Sequence, residues 1–161
     1  MSATRYLLPS EDIIGALGTR VRLAPSKPPA AAETRGNVLA AAAADFAYQS
    51  FAGHLASPEG PRPFAVGTMA LVFDRENRAE RTFRVVAEAA HLRTSIGASD
   101  VAVETVTGAT GLVSYWGYVR FRAMMVVLTL DTLDPTLISM SDFRALVKLA
   151  ADRLEGVNPV H

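Results

Sequence analysis

The chain of 161 residues contains no cysteine. This absence excludes thiol catalysis, thiolate metal sites and disulfide bonds within it. The sequence also lacks net charge, because sixteen Lys and Arg residues are balanced by sixteen Asp and Glu residues. A protein without an overall field is not steered towards nucleic acid or an anionic membrane. We therefore expect no nucleic-acid partner.

Long hydrophobic runs and targeting signals are missing as well. No apolar stretch approaches the roughly 20 residues that a membrane-spanning helix needs, so we expect no transmembrane segment. The first residues, MSATRYLLPSEDIIG, lack the basic and apolar regions and the cleavage site of a signal peptide. We expect a cytoplasmic location from this, or an extracytoplasmic one if a signal was removed from a longer chain.

Motifs for catalysis, metal binding and phosphate binding are also missing. His54, His91 and His161 have no partner at the spacing of a helical metal pair. The serines lack a GxSxG elbow, and the glycines are too scattered for a phosphate loop. We expect no cofactor and no metal. An acid/base site that forms only in the fold stays open. Its candidate residues are Asp45, Glu104, Asp131 and His54.

The residues that are present suffice for one domain, since half of them are hydrophobic. Apolar periodicity predicts helices from Ser10 to Gly18, around Ala79 to Ala90, and from Ser141 to Gly156. It predicts strands over Val21 to Leu23, Asp45 to Leu55, Phe64 to Phe73 and Val101 to Val106. Prolines indicate a surface loop at about 24–37. This order predicts a single α+β domain over 1–161, with a mostly antiparallel sheet and helices packed on one face.

The most informative segment is GLVSYWGYVRFRAMMVVLTL, residues 111–130, which contains the only Trp and two of the four Tyr. Strand alternation assigns its odd-numbered residues from Val113 to Phe121 to the core. The opposite face carries rings and guanidinium groups, which suit contacts with carboxylate, phosphate or sugar acids. We predict an open ligand-binding surface formed by Trp116, Tyr118, Arg120 and Arg122. The alternative is that the rings cover the sheet edge while both arginines pair with acids.

The second half of this segment, from Met124 to Leu130, is almost entirely apolar. A strand that is apolar on both faces is either central in the sheet, with a helix on each side, or part of a subunit interface. The first alternative predicts core, and the second predicts a homodimer. Ala123 and Met124 do not favour the positive φ angles of a two-residue turn. Whether residues 112–130 form a hairpin or one long strand therefore stays open.

Four stretches of the sequence resemble a group of small secreted domains. They are LLPSEDIIGALG, MALVFDRENRAERTFRVVAEAA, VRFRAMMVVLTL and SDFRALVKLAADRLEG. Their apolar spacing resembles that of actinobacterial-type secreted and lipoprotein domains, a group that includes the extracellular sensor domain of certain receptor Ser/Thr kinases. The resemblance implies a ligand-sensing or cell-envelope accessory domain outside the cytoplasm, with no catalytic residues to carry over. Members of the group often have cysteines, which this chain lacks.

Three functional hypotheses follow from the sequence. The leading one is a non-enzymatic domain that binds a small-molecule or protein ligand on its sheet surface. The second is a structural or assembly protein that self-associates through its apolar strands. The third is a small enzyme whose acid/base site forms only in the fold.

Overall fold

The computed structural model describes residues 2–18 and 20–156, and within them it contains seven strands and four α-helices. The strands are β1 (Val21–Pro25), β2 (Asp45–Leu55), β3 (Arg62–Val72), β4 (Leu92–Ile96), β5 (Ser99–Thr107), β6 (Val113–Phe121) and β7 (Met124–Thr132). The helices are α1 (Ser10–Leu17), α2 (Ala30–Ala40), α3 (Glu76–Ala87) and α4 (Met140–Leu154). The strands form one antiparallel sheet in the order β1-β2-β3-β7-β6-β5-β4. The α+β class and the antiparallel sheet are confirmed.

The helices cover both faces of the sheet, so the prediction that they pack on one face is wrong. A layer that includes Ile13 of α1 and Phe143 of α4 covers one face. A second layer, which includes Leu39 of α2 and Ala79 of α3, covers the other. An apolar stripe predicts that a helix packs on a sheet, but it does not specify the face. The apolar sequence of β7 already allowed a helix on each side.

β6 and β7 form a hairpin at the centre of the sheet, which answers the question that the sequence left open. Phe121 pairs with Met124, and Arg122 and Ala123 form the turn. Arg122 has a φ angle of 54°, a conformation that Asn and Gly adopt more readily in such turns. β7 lies between β3 and β6. Residues 124–130 are therefore buried within the single chain, as the central-strand alternative predicts.

Among the strands and α-helices, two were not predicted, and they lie where prolines or polar side chains are frequent in the sequence. The loop predicted at 24–37 contains most of α2. Pro28 and Pro29 precede that helix, where a missing backbone N–H costs little, and the alanines that follow favour a helix. The prolines therefore break only the short connection before α2. The other element is β4, a short edge strand with mostly exposed side chains that lacks an apolar alternation.

The remaining predicted helices and strands are confirmed, with shifts at two helices: α3 begins and ends about three residues before the predicted bounds, and the cap of α4 differs. α4 begins with a capping box, in which the backbone N–H of Asp142 donates to Ser139 Oγ and the Asp142 carboxylate accepts from the Ser139 backbone. The cap is thus Ser139 rather than Ser141. Within the described residues, no helix is long and apolar enough to cross a membrane.

Candidate ligand-binding site

The sheet face beneath α2 carries a layer of aromatic and apolar side chains drawn from neighbouring strands. Tyr48 of β2 pairs with Met69 of β3, and Met69 pairs with Val127 of β7. Val127 in turn pairs with Tyr118 of β6, and Trp116 lies two residues before Tyr118 on the same face. Paired residues of an antiparallel sheet point to the same side. The register therefore forms one continuous surface for α2 to cover.

α2 approaches this surface closely because its contact residues are small. Ala32, Gly36 and Leu39 are its buried residues. A Cβ atom at Gly36 would lie 2.6 Å from Met69 Cε, too short for an ordinary contact. Glycine at this position thus lets the helix backbone lie directly on the Met69 side chain.

Arg35 fastens α2 to the sheet through polar contacts. Its Nη1 donates to Tyr118 Oη at 2.5 Å and lies 3.3 Å from Glu104 Oε2. The guanidinium carbon lies 4.1 Å from the ring centre of Trp116, in a cation–π arrangement. Burial raises the pKa of Tyr118 to about 12, although Arg35 opposes the shift. The Tyr118 hydroxyl therefore stays protonated at neutral pH.

A small cavity lies between α2 and the sheet, bordered by Gly36, Tyr48, Gly67, Trp116 and Thr129 among others. The centre of a water molecule can occupy about 10 Å³ of it, which is close to the minimum for one water molecule. The Tyr48 hydroxyl is buried and makes no hydrogen bond of good geometry, and its side-chain partner is the nearby Ser50 hydroxyl. Burial raises the pKa of Tyr48; the nearby Ser50 hydroxyl opposes this, and the charges of Asp131 and Glu33 add to it.

An open cleft of about 190 Å³ runs along the side of α2 that faces β2. Its lining residues are Pro28, Ala32, Glu33, Asn37, Phe46, Tyr48 and Met69. Ala32, Tyr48 and Met69 also border the smaller cavity. These three side chains are therefore the wall between the buried cavity and the open cleft.

The four residues predicted to bind a ligand occupy three different places in the structure. Trp116 and Tyr118 stack on each other and are buried beneath α2. The Arg120 side chain is only 14% exposed and ion-pairs with Asp100 at 2.5 Å, as well as with Glu76 and Glu80. Arg122 lies in the hairpin turn, with its guanidinium over the Phe121 ring.

The prediction that Trp116, Tyr118, Arg120 and Arg122 form an open surface is therefore wrong. Alternation along β6 correctly predicts which residues share a face, but it does not predict that helices cover that face. For Arg120, the alternative of pairing with acids is confirmed. That these residues contribute to ligand binding stays a prediction.

The candidates for an acid/base site are found in different surroundings. Asp45 accepts a hydrogen bond from the Ala3 backbone at 2.8 Å, and Glu104 pairs with Arg35. His54 is exposed near the end of β2. Asp131 is half-buried, and burial raises the pKa of its carboxyl while the Ser114 hydroxyl opposes the shift.

In the part of the chain that the structure describes, no three His, Asp or Glu residues lie close enough together to hold a metal ion. His161 lies outside the described residues.

Five residues of α2 and the strands beneath it were not predicted from the sequence to belong to a site. They are Glu33, Arg35, Phe46, Tyr48 and Met69. The aromatic residues at positions 46 and 48 give the one local signal, because an i, i+2 pair on a strand shares a face. Arg35 gives none, since its partners are 69 and 83 residues away along the chain.

Comparisons with known proteins agree with this architecture. No protein-family model matches the chain, and no curated protein matches its sequence. Among solved structures, the chain is similar to the extracellular domain of PknH from Mycobacterium tuberculosis, with a TM-score of 0.59 at 10% identity over 97% of each chain. The two chains share a fold. The resemblance drawn from the sequence is thus confirmed at the level of the fold, because a similarity at 10% identity shows the fold alone.

A second similarity is weaker. LpqN, a Mycobacterium tuberculosis protein involved in cell envelope biogenesis, matches at 8% identity with a TM-score of 0.32. The match covers 81% of this chain and 90% of LpqN. A score of that size supports no conclusion about this chain.

Proposed function

We propose that this protein is a non-catalytic binding domain that takes a small ligand in the cleft between α2 and β2. Trp116 and Tyr118, which the sequence selected, lie under the same helix and support it from the sheet side. Arg120 is neutralised by acids and Arg122 lies in a turn, so we leave both outside the proposed site. The fold shared with the extracellular domain of PknH supports an extracytoplasmic, sensing role.

The observation that carries this proposal is the open cleft of about 190 Å³, whose wall includes the poorly hydrogen-bonded Tyr48 hydroxyl. Leaving a buried polar group without a partner costs about 1–3 kcal/mol. Tyr48 belongs to the wall between the cavity and the cleft. A polar group of a ligand that reaches this hydroxyl from the cleft would improve its hydrogen bonding, which favours binding at this position.

The local structure of α2 also suits a binding role. The helix rests on the sheet through three small or medium-sized residues, and its outer surface includes Val38, which is 70% exposed. Arg35, its polar attachment, is itself 39% exposed. An element with few buried apolar contacts opens at lower free-energy cost than the core of the domain.

Three small probes with the same branched shape test the proposal. They are 3,3-dimethylbutan-1-ol, choline and 3,3-dimethylbutyrate, which are neutral, positive and negative. We expect at least one of them to produce saturable changes in the amide resonances of α2 and β2 in an NMR titration. Amides of β4, at the far edge of the sheet, should not respond.

A pair of adjacent substitutions locates the binding. Asn37→Trp adds bulk to an exposed residue that lines the cleft, whereas Val38→Trp adds the same bulk to the next exposed residue, which does not line it. Asn37→Trp should abolish the response and Val38→Trp should preserve it. The proposal fails if none of the three probes binds, or if both substitutions act alike.

A further inference from the structure

We propose, on the basis of the ligand-binding function above, that the cleft beside α2 selects an organic cation, namely an ammonium group carried on a small apolar body. Glu33 is the one charged residue among those that line the cleft. In the part of the chain that the structure describes, no Lys or Arg forms an ion pair with it. The carboxylate is therefore available to a positively charged ligand.

The walls of the cleft also favour a cation. Phe46 is an exposed aromatic residue, with 54% of its surface accessible, and Tyr48 shares its strand face. Aromatic faces attract cations within about 6 Å of the ring centre. Met69 adds a polarizable thioether to the same wall. Two rings and one carboxylate are a combination suited to an alkylated ammonium group.

Glu33 also has a structural role at the start of α2. It lies in the first turn of α2, where a negative charge offsets the helix dipole. The dipole corresponds to roughly half of an elementary positive charge at the helix start, and the carboxylate carries a full negative charge. About half of a negative charge therefore remains at the cleft.

Neighbouring cations do not remove the remaining negative charge. Arg35 is directed to the other side of α2, where its guanidinium lies on Trp116 and contacts Glu104. Lys27 precedes α2 but does not line the cleft. An anionic ligand would meet Glu33 without a compensating cation, and a neutral one would desolvate the carboxylate without pairing it. The cleft volume of about 190 Å³ limits the ligand to a small molecule or a headgroup.

The three probes described above separate this inference from the function on which it rests. We expect choline to bind about tenfold more tightly than its neutral isostere 3,3-dimethylbutan-1-ol, because choline adds a partly exposed ion pair with Glu33 and cation–π contacts with the aromatic rings. The anionic 3,3-dimethylbutyrate should bind most weakly. Dissociation constants come from the NMR titration at low ionic strength, since salt screens exposed charges.

Variants identify the groups responsible. Glu33→Gln should reduce the preference for choline to less than threefold, and the neutral probe should bind no more weakly than before, because no carboxylate is then desolvated. Glu11→Gln is the matched control, because Glu11 is also an exposed acid in the first turn of a helix, α1. Phe46→Leu keeps the apolar wall but removes a ring, so it should weaken choline binding alone. Circular dichroism of each variant checks that the fold is retained.

The possible outcomes distinguish two kinds of failure. Equal binding of choline and the neutral probe would overturn the inference and leave the binding site standing. A preference for choline that persists in Glu33→Gln would also overturn it, since the charge would then act elsewhere. Absence of binding by every probe would remove the binding site and the inference together.

Discussion

Replacing Arg35 with methionine should lower the free energy of unfolding by about 2–5 kcal/mol. The largest contribution is the charge-assisted hydrogen bond to Tyr118, worth about 1.5–3 kcal/mol. Tyr118 is 1% exposed, so its hydroxyl would be left buried without that partner. The contact with Trp116 adds about 0.5–1 kcal/mol, because Arg35 is 39% exposed and partly hydrated. The pair with Glu104 adds at most about 1 kcal/mol for the same reason.

A double-mutant cycle separates the hydrogen bond from the other contacts. Tyr118→Phe removes the hydroxyl, so a chain that carries both substitutions no longer has a buried hydroxyl to leave unpaired. The combined loss should therefore be smaller than the sum of the two single losses by about 1.5–3 kcal/mol. Urea unfolding followed by the fluorescence of Trp116, the only tryptophan in the chain, measures all four proteins.

Arg84→Met is the control, because Arg84 is an exposed arginine of α3 and its loss should change stability by less than about 0.5 kcal/mol. Hydrogen exchange gives an independent readout: the amides of α2 should exchange faster in Arg35→Met, while those of β7 should change only as much as global stability does. Additive losses in the cycle, with unchanged exchange in α2, would refute the view that Arg35 fastens this helix.

Three further outcomes follow from the structure. Burial raises the pKa of Asp131 in the folded state above 3.8, so the contribution of this residue to stability falls as pH rises from 3.8 through the raised value. Asp131→Asn should therefore increase the melting temperature at pH 7. The gain should vanish below about pH 3.8, where the carboxyl is protonated in both states. A spectrophotometric titration should show one tyrosine ionising at about 12 rather than 10.0, and Tyr118→Phe should lack that step. Arg122→Gly should stabilise the protein by about 1 kcal/mol in thermal unfolding, because glycine adopts the positive φ angle of this turn at less cost.

The sequence predicted the elements whose local pattern is strong. α3 and α4 have apolar stripes at helical spacing, and β2 and β3 are rich in strand-forming residues. The weak pattern of β4 did not predict a strand. The prolines before α2 led to a predicted loop that extended over most of that helix. Local preferences extend over a few residues, so they predict an element but not its neighbours.

The candidate site was less predictable than the fold. Strand alternation placed Trp116 and Tyr118 on one face of β6, and that assignment holds. Their burial could not be foreseen, because it depends on α2, which lies some 80 residues earlier in the chain. The same holds for Arg35, whose contacts join α2 to β5 and β6. Such contacts depend on the order of strands and on which face each helix covers.

The sequence by itself determined the absence of cysteine chemistry, the presence of a single α+β domain, and the apolar character of β7. These properties follow from composition and from periodicity, which are local. Only the tertiary structure decided that helices cover both faces, that Arg120 is neutralised by acids, and that a cleft lies between α2 and β2. The physical reason is that burial and charge pairing depend on distances between residues far apart in sequence, which the fold alone sets.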